Sequence, residues 1–325
     1  MSSRARTYLL LAGLALVWGV HWPLAKIALR DLPPFTYGAL RVATALGAIC
    51  AVQAARGQLH LPDRRDWPIV LSVALGQMAG GIVLMNLALP MISAGRSSIL
   101  VYTMPLWVVV IELTALRGRS TPRQLGGLVV GLVGIGLLIN PMAIDWHSDG
   151  QVLGSGELIL SAMIWGVTTI HIRRHHWHSS SLDLEPWQLL VAGVPLALAA
   201  VSIDAGRTVH WNPVSLGIVV YSGLLATAIA FWLSQSISRS LTPLATTMGF
   251  LAVPVVGLLS AAVILGEPLA LTDLVGFATT FAGILMVSLA PEREAMGAPD
   301  LETGRAAEAT TEQFLPTTET GGVDR

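Results

Sequence analysis

Trp18-Gly19 recurs as Trp165-Gly166, 147 residues further on, and Pro105 recurs as Pro254 after 149. Gly127, Gly131 and Gly134 recur as Gly276, Thr280 and Gly283 at the same 149-residue offset. The chain therefore reads as one unit written twice, over 1–140 and 153–290. An apolar stretch of about 20 residues crosses a bilayer as a helix. Each copy holds five such segments, predicted near 7–29, 35–55, 67–89, 93–116 and 121–139, then 153–173, 186–203, 214–236, 242–265 and 272–290. An odd number of crossings makes the second copy enter the membrane with the opposite orientation. The expected fold is all-α integral membrane, with ten transmembrane helices arranged as two inverted five-helix repeats. Such repeats enclose a midplane cavity at their interface, open alternately to either face.

Composition excludes a soluble domain: hydrophobic residues make up 53% and charged residues 12%, with mean hydropathy +0.66, against roughly 25% charged in soluble chains. One cysteine, Cys50, rules out a disulfide framework and a thiolate metal site. The net charge of −1 conceals a division. Residues 291–325 hold eight acids and three arginines, leaving a basic body. That Thr/Glu/Gly/Pro-rich stretch lacks the apolar residues a core needs and is expected to be a disordered, acidic cytoplasmic tail, either solvated or recruiting a partner. The first segment is too long for a cleaved signal peptide and matches the retained one around Trp165.

Orientation follows from the short loops. Arg4, Arg6, Arg56, Arg64, Arg65, Arg117, Arg119, Arg123, Arg173, Arg174, Arg239 and Arg293 fall on one side, with Arg30 and Arg207 opposite. Both termini are expected on the cytoplasmic face of a cell (inner) membrane.

Two five-segment halves, each with Trp-Gly in its first helix, resemble the EamA branch of the drug/metabolite transporter superfamily. Ala94-Gly95-Arg96 through Tyr102-Thr103-Met104-Pro105-Leu106-Trp107 looks like the fourth helix of one bacterial subgroup. Leu265-Gly266-Glu267 after Pro254 resembles the end of its ninth, and Pro33-Pro34 with Arg41 the entry to its second. The first half departs from the pattern, reading Leu116-Arg117-Gly118-Arg119 where a Leu-Gly-Glu would stand. Over residues 7 to 290 the resemblance implies a secondary transporter, commonly an exporter of amino acids or other small metabolites, and leaves the substrate open.

An ionisable side chain at mid-bilayer costs roughly 2.5–3.5 kcal/mol on insertion scales, so each needs a reason. The first half carries Lys26, Arg41, Arg96 and Glu112. Trp18, Trp22 and Lys26 share a helical face at i, i+4 and i+8, and their counterparts are Trp165, Thr169 and Arg173. The two cations then flank opposite mouths of one pathway, with the tryptophans deeper as an adsorbing wall; the alternative is snorkelling to headgroups. Arg41 either faces inward to meet a carboxylate or snorkels. Arg96, Thr103 and Trp107 share a face of the fourth helix. Pro105 there and Pro254 in the ninth free backbone carbonyls, which suits a pathway wall or a plain kink. The expected substrate pathway is thus Trp18, Trp22, Lys26, Arg41, Arg96, Thr103, Pro105, Trp107, Trp165, Thr169 and Pro254. Glu112, the one acid read as lying well within a span, is the candidate for proton coupling, an ion pair with a nearby arginine being the plainer role. Three cations against one acid favour a ligand with a negative group. The glycine faces of the fifth and tenth helices suit a scaffold or a homodimer contact.

Other chemistry is absent from the sequence. There is no phosphate-binding glycine loop with its lysine, no H-E-x-x-H and no G-x-S-x-G. His175-His176-Trp177-His178 lacks a spaced second ligand set, so no metal is expected; nor is a cofactor, a nucleic-acid partner or an enzyme activity. His21 and His171 read as satisfied interior residues or proton relays. The expected partners are a small-molecule substrate and the lipid bilayer. The competing reading keeps the fold as a membrane-embedded binding or regulatory protein that moves nothing.

Overall fold

The computed structural model describes residues 3–115, 121–139, 149–240 and 250–289. The acidic stretch 291–325, Arg117, Arg119 and the start of the predicted ninth span lie outside them. Among the described residues all regular structure is helical. The helices are α1 (Ser3–Asp31), α2 (Pro34–Ala55), α3 (Arg64–Ala88), α4 (Ala94–Thr114) and α5 (Pro122–Ile139), then α6 (Asp149–Arg174), α7 (Ser181–Ser202), α8 (Pro213–Ile237), α9 (Ala252–Leu265) and α10 (Leu271–Ser288). Eight are long and apolar enough to cross a membrane, while α5 and α9 are shorter apolar helices. Large apolar side chains cover the outside, Val263 being 85% and Val201 73% exposed, a surface suited to lipid rather than water.

Local chemistry sets the boundaries. Ser180 and Asp183 form a capping box that starts α7 at Ser181, five residues before the predicted 186. Asn212 and Ser215 do the same for α8. Gly266, at φ 67°, ends α9 in the left-handed conformation that glycine adopts without strain. Prolines inside helices leave carbonyls four residues back without their usual partner, and for Pro23 and Pro186 another helix supplies one. Pro23 frees the Gly19 carbonyl, which accepts from Ser260 Oγ of α9 at 3.2 Å. Pro186 frees that of Leu182, which accepts from Gln53 Nε2 of α2 at 2.5 Å.

The packing is reciprocal between the two halves. α1 rests mainly on α9 and α8, and α6 mainly on α4 and α3, while α2 pairs with α7 and α5 with α10. The glycine of each Trp-Gly pair makes room at such a contact. A Cβ at Gly19 would overlap Val256 of α9, and Gly166 faces the α4 backbone at Met104 O and Val108 N. Both third helices also widen into a π-helical stretch, Val73–Gly80 in α3 and Leu224–Ile229 in α8, which overlap at the 149-residue offset. Such irregularities frequently mark functional sites.

The glycine faces meet each other inside one chain, the scaffold role that was one of the two expected of them. A Cβ at Gly127 would lie 2.8 Å from Gly283 O and 2.9 Å from Val287 N, both backbone atoms that cannot swing away. Gly127→Ala is therefore expected to destabilise by about 1–3 kcal/mol through overpacking. Gly136→Ala, with nothing within 4 Å of its Cβ, serves as the control. Thermal unfolding in detergent checks the pair; equal melting would show that the seam is loose.

Candidate functional site

Trp18, from α1, and its counterpart Trp165, from α6, meet edge to face with centroids 6.0 Å apart. Phe231 of α8 lies 5.8 Å from the first ring and 5.9 Å from the second, and Phe250 is 5.9 Å from Trp18. These four rings line a cavity together with Trp22, Ile82, Met85, Met104 and Tyr102. About 690 Å3 in and around it is free of atoms, open solvent at the mouth included. His21, Arg41, Gln77 and Ser161 interrupt the otherwise apolar lining.

Arg41 is the main charge in that wall. It is 3% exposed, held in place from α1 and α8. Its Nε donates to Thr227 Oγ1 at 2.6 Å, Nη1 to His21 Nε2 at 3.0 Å and Nη2 to the Ala226 carbonyl at 3.3 Å. Since a guanidinium only donates, His21 must accept at Nε2 and carry its proton on Nδ1, which faces Ser222 Oγ at 3.4 Å. Ser222 in turn lies 2.7 Å from the Tyr37 hydroxyl. The π-helical stretch of α8 makes this possible: Thr227 Oγ1 reaches back to Ser222 O at 2.7 Å. The Ala226 carbonyl also takes the Trp18 Nε1 proton at 3.0 Å. Among the described residues no carboxylate pairs with Arg41. A buried cation normally has an acid beside it; this one has neutral acceptors and a cavity.

The structure gathers Trp18, Trp22, Arg41 and Trp165 at the cavity and places the other expected residues elsewhere. Lys26 binds Glu267 Oε1 at 3.2 Å and the Ile92 carbonyl at 2.5 Å, and Arg96 binds Asp273 Oδ1 at 2.8 Å. Two of the three cations thus have acids of their own, which corrects the charge count behind the anionic ligand and leaves Arg41 to carry it. Arg173 is exposed at the end of α6. Thr103 and Trp107 repair a break in α4 instead of lining the cavity: Thr103 Oγ1 donates to Leu100 O at 2.6 Å and accepts from Trp107 Nε1 at 3.2 Å. Pro105 lies in the first turn of the helical segment that Met104 opens after that break, and its neighbours Val101, Tyr102 and Met104 form the wall. Pro254 lies in the first turn of α9, where a missing N–H costs no helical bond. Thr169 touches the wall indirectly, its hydroxyl 3.4 Å from Met104 Sδ. Glu112 is partly exposed near the end of α4, away from the cavity.

Gln77 reaches the cavity, while Asn86, Tyr221 and Gln235 tie helices together. His21 was legible on the Trp18 stripe at i+3. Phe231 and Phe250 carried no sequence signal. At the other end of the bundle Asp66 supplies the third donor that the histidine loop lacks in sequence. Its Oδ1 lies 2.8 Å from His175 Nε2 and 3.5 Å from His178 Nδ1, and the three donors lie within 4.8 Å of one another. The expectation of no metal-ligand set is corrected to that extent. The same oxygen accepts from the His178 backbone N–H at 3.2 Å, a fastening of α3 to the loop that requires no ion.

Comparison with known proteins agrees with this architecture. The profile of the EamA-like transporter family matches twice, over residues 5–140 and 153–289. An uncharacterized transporter of Bacillus subtilis (strain 168), YoaV, is 24% identical over 278 residues, covering 83% of this chain and 92% of that protein. A probable amino-acid metabolite efflux pump of Escherichia coli (strain K12) is 24% identical over 277 residues, 82% and 90% of the two chains. A probable terminal-alkyne amino-acid exporter of Streptantibioticus cattleyicolor is 27% identical over 277 residues, 83% and 90%. A solved crystal structure superposes with a TM-score of 0.64 at 21% identity, over 87% of this chain and 98% of the other, which shows a shared fold. The chain belongs to the EamA-like transporter family and is a multi-pass membrane transporter.

Proposed function

We propose that this chain is a secondary carrier exporting small carboxylate-bearing metabolites, amino acids or their close relatives, across the cell membrane by alternating access. The carrying observation is Arg41: a buried guanidinium without a partner acid, in the wall of an aromatic cavity. Three of its five N–H groups are engaged among the described residues. One remains on each terminal nitrogen, the fork that grips a carboxylate through two parallel bonds. Trp18, Trp165 and Phe231 then hold the apolar body. The printed names of two relatives, an amino-acid metabolite efflux pump and an amino-acid exporter, support both the substrate class and the direction.

In this reading ten helices cross the membrane as two inverted halves, 1–140 and 153–290, with both termini and the 291–325 tail in the cytoplasm. The reciprocal helix pairing supports it, as does the meeting of the equivalent residues Trp18 and Trp165. At one end of the bundle the Lys26–Glu267 pair ties α1 to the α9–α10 connection, and the Arg96–Asp273 pair ties α4 to the first turn of α10. The cycle opens that end by parting them.

The test is efflux from proteoliposomes loaded with amino acids, other carboxylates and small uncharged drugs, followed by mass spectrometry. Selective loss of carboxylate-bearing compounds, faster than from protein-free liposomes, is the expected result. Binding of such compounds without flux would replace this reading with that of a non-transporting receptor.

A further inference from the structure

Two acids outside the cavity are fully buried, Asp66 and Glu185, and Glu185 lacks the histidine partners that Asp66 has. It is 0% exposed, and neither of its carboxyl oxygens has a hydrogen-bond partner among the described residues. Ser181, Glu185 and Gln188 share one face of α7 at i, i+4 and i+7, turned toward α8 and α2. Gln235 Nε2 of α8 donates to Gln188 Oε1 at 3.1 Å, Ser181 Oγ lies 3.2 Å from Ser236 Oγ, and Gln53 of α2 reaches the Leu182 carbonyl. Three further amide atoms there lack partners: Gln53 Oε1, Gln188 Nε2 and Gln235 Oε1. Five unpartnered buried polar atoms thus belong to Glu185 and these three glutamines.

The surrounding charges do not explain it. On α2, Arg41 is committed to His21 and Thr227, and Arg56, at the helix end, is exposed; Tyr37 pairs with Ser222, and Cys50 is partly buried. On α3, Arg64 and Arg65 are exposed, and Asp66 is bound to His175 and His178. On α7 itself Asp183 belongs to the capping box. No described side chain forms an ion pair with Glu185. An isolated ionised carboxylate in such surroundings is prohibitively costly, and a carboxyl group avoids that cost by holding a proton.

We propose that Glu185, with Gln53, Gln188 and Gln235 around it, is the proton-binding site that couples export to the proton gradient, in place of Glu112. The carboxyl holds one proton occluded in the conformation seen here and exchanges it when water reaches α7. Each proton entering then accompanies a substrate leaving. The coupling role rests on the carrier reading above; the proton-binding role does not.

Glu185→Gln keeps the shape and fixes the neutral state, and two measurements on the purified full chain test it. Infrared difference spectra across a pH titration should show a protonated-carboxyl band in the native protein that the variant lacks. In proteoliposomes, an inward proton gradient should accelerate native efflux of a labelled amino-acid mixture at least about tenfold. The variant should lose that acceleration while retaining exchange of labelled for unlabelled amino acids. An unchanged infrared band overturns the proton site; acceleration persisting in the variant overturns the coupling. If native protein moves nothing, the carrier reading fails, and the infrared result still decides whether Glu185 holds a proton.

Discussion

Arg41→Met stops export of carboxylate-bearing substrates while leaving the protein folded. Truncating one partner of a buried, hydrogen-bonded charge pair costs 2–5 kcal/mol or more, so binding is expected to weaken by about thirtyfold at the least. The effect on stability is small because two consequences oppose each other. Removing an uncompensated buried cation relieves its desolvation cost. Against this, Thr227 Oγ1, His21 Nε2 and the Ala226 carbonyl each lose a donor. Arg41→Lys keeps the charge but not the fork, and is expected to fall between native and Met. A further control separates recognition from damage: the amide of a transported acid gains relative to the acid in the Met variant. Titration calorimetry and efflux on the three proteins check this. Native transport rates in Arg41→Met would remove the guanidinium from the site and the carboxylate from the substrate class.

The duplicated Trp-Gly and glycine positions made the helix packing legible because their glycines mark close contacts between helices. Gly19 and Gly166 admit a neighbouring helix, and Gly127, Gly131 and Gly283 form a backbone seam. The tryptophan stripe identified one wall of the cavity for the same reason, since i, i+4 spacing survives any tertiary arrangement. Other features depended on partners far away in sequence. Lys26 and Arg96 looked like free cations because their acids, Glu267 and Asp273, lie 241 and 177 residues away. Glu185 was hidden by a boundary: hydropathy started the seventh helix at 186, whereas the Ser180–Asp183 capping box starts it at Ser181. The π-helical stretches, which expose the Ala226 carbonyl to Trp18 and Arg41, leave no composition signal at all. A run such as Leu224-Leu225-Ala226-Thr227-Ala228-Ile229 reads as an ordinary buried helix until its packing is seen.

Glu267→Ala is expected to cost far more stability than Lys26→Met, although the two residues form one ion pair. Glu267 does three jobs from the end of α9. Oε1 accepts from Ala94 N at 2.8 Å and from Lys26 Nζ at 3.2 Å, and Oε2 accepts from Gly95 N at 3.1 Å. It therefore satisfies two backbone N–H groups at the start of α4, which have no partner inside their own helix, as well as the ammonium. The side chains of Lys26 and Glu267 are only 21% and 16% exposed, so water replaces these bonds poorly. Removing the carboxylate should cost about 3–5 kcal/mol, the range for breaking a buried pair, and lower the melting temperature by on the order of 10 °C. Lys26→Met leaves the acid with both N–H groups and should cost less, about 1.5 kcal/mol for a lost bond to a charged group. Adding Lys26→Met to Glu267→Ala should then recover part of the loss, because the double variant no longer buries an unpaired ammonium. The double-mutant cycle in detergent reads this coupling directly. Equal costs for the two single variants would mean that the pair acts only as a salt bridge. The unequal result makes Glu267 a helix cap first, so the proposed opening of this end must break the start of α4 away from α9 as well as separate two charges.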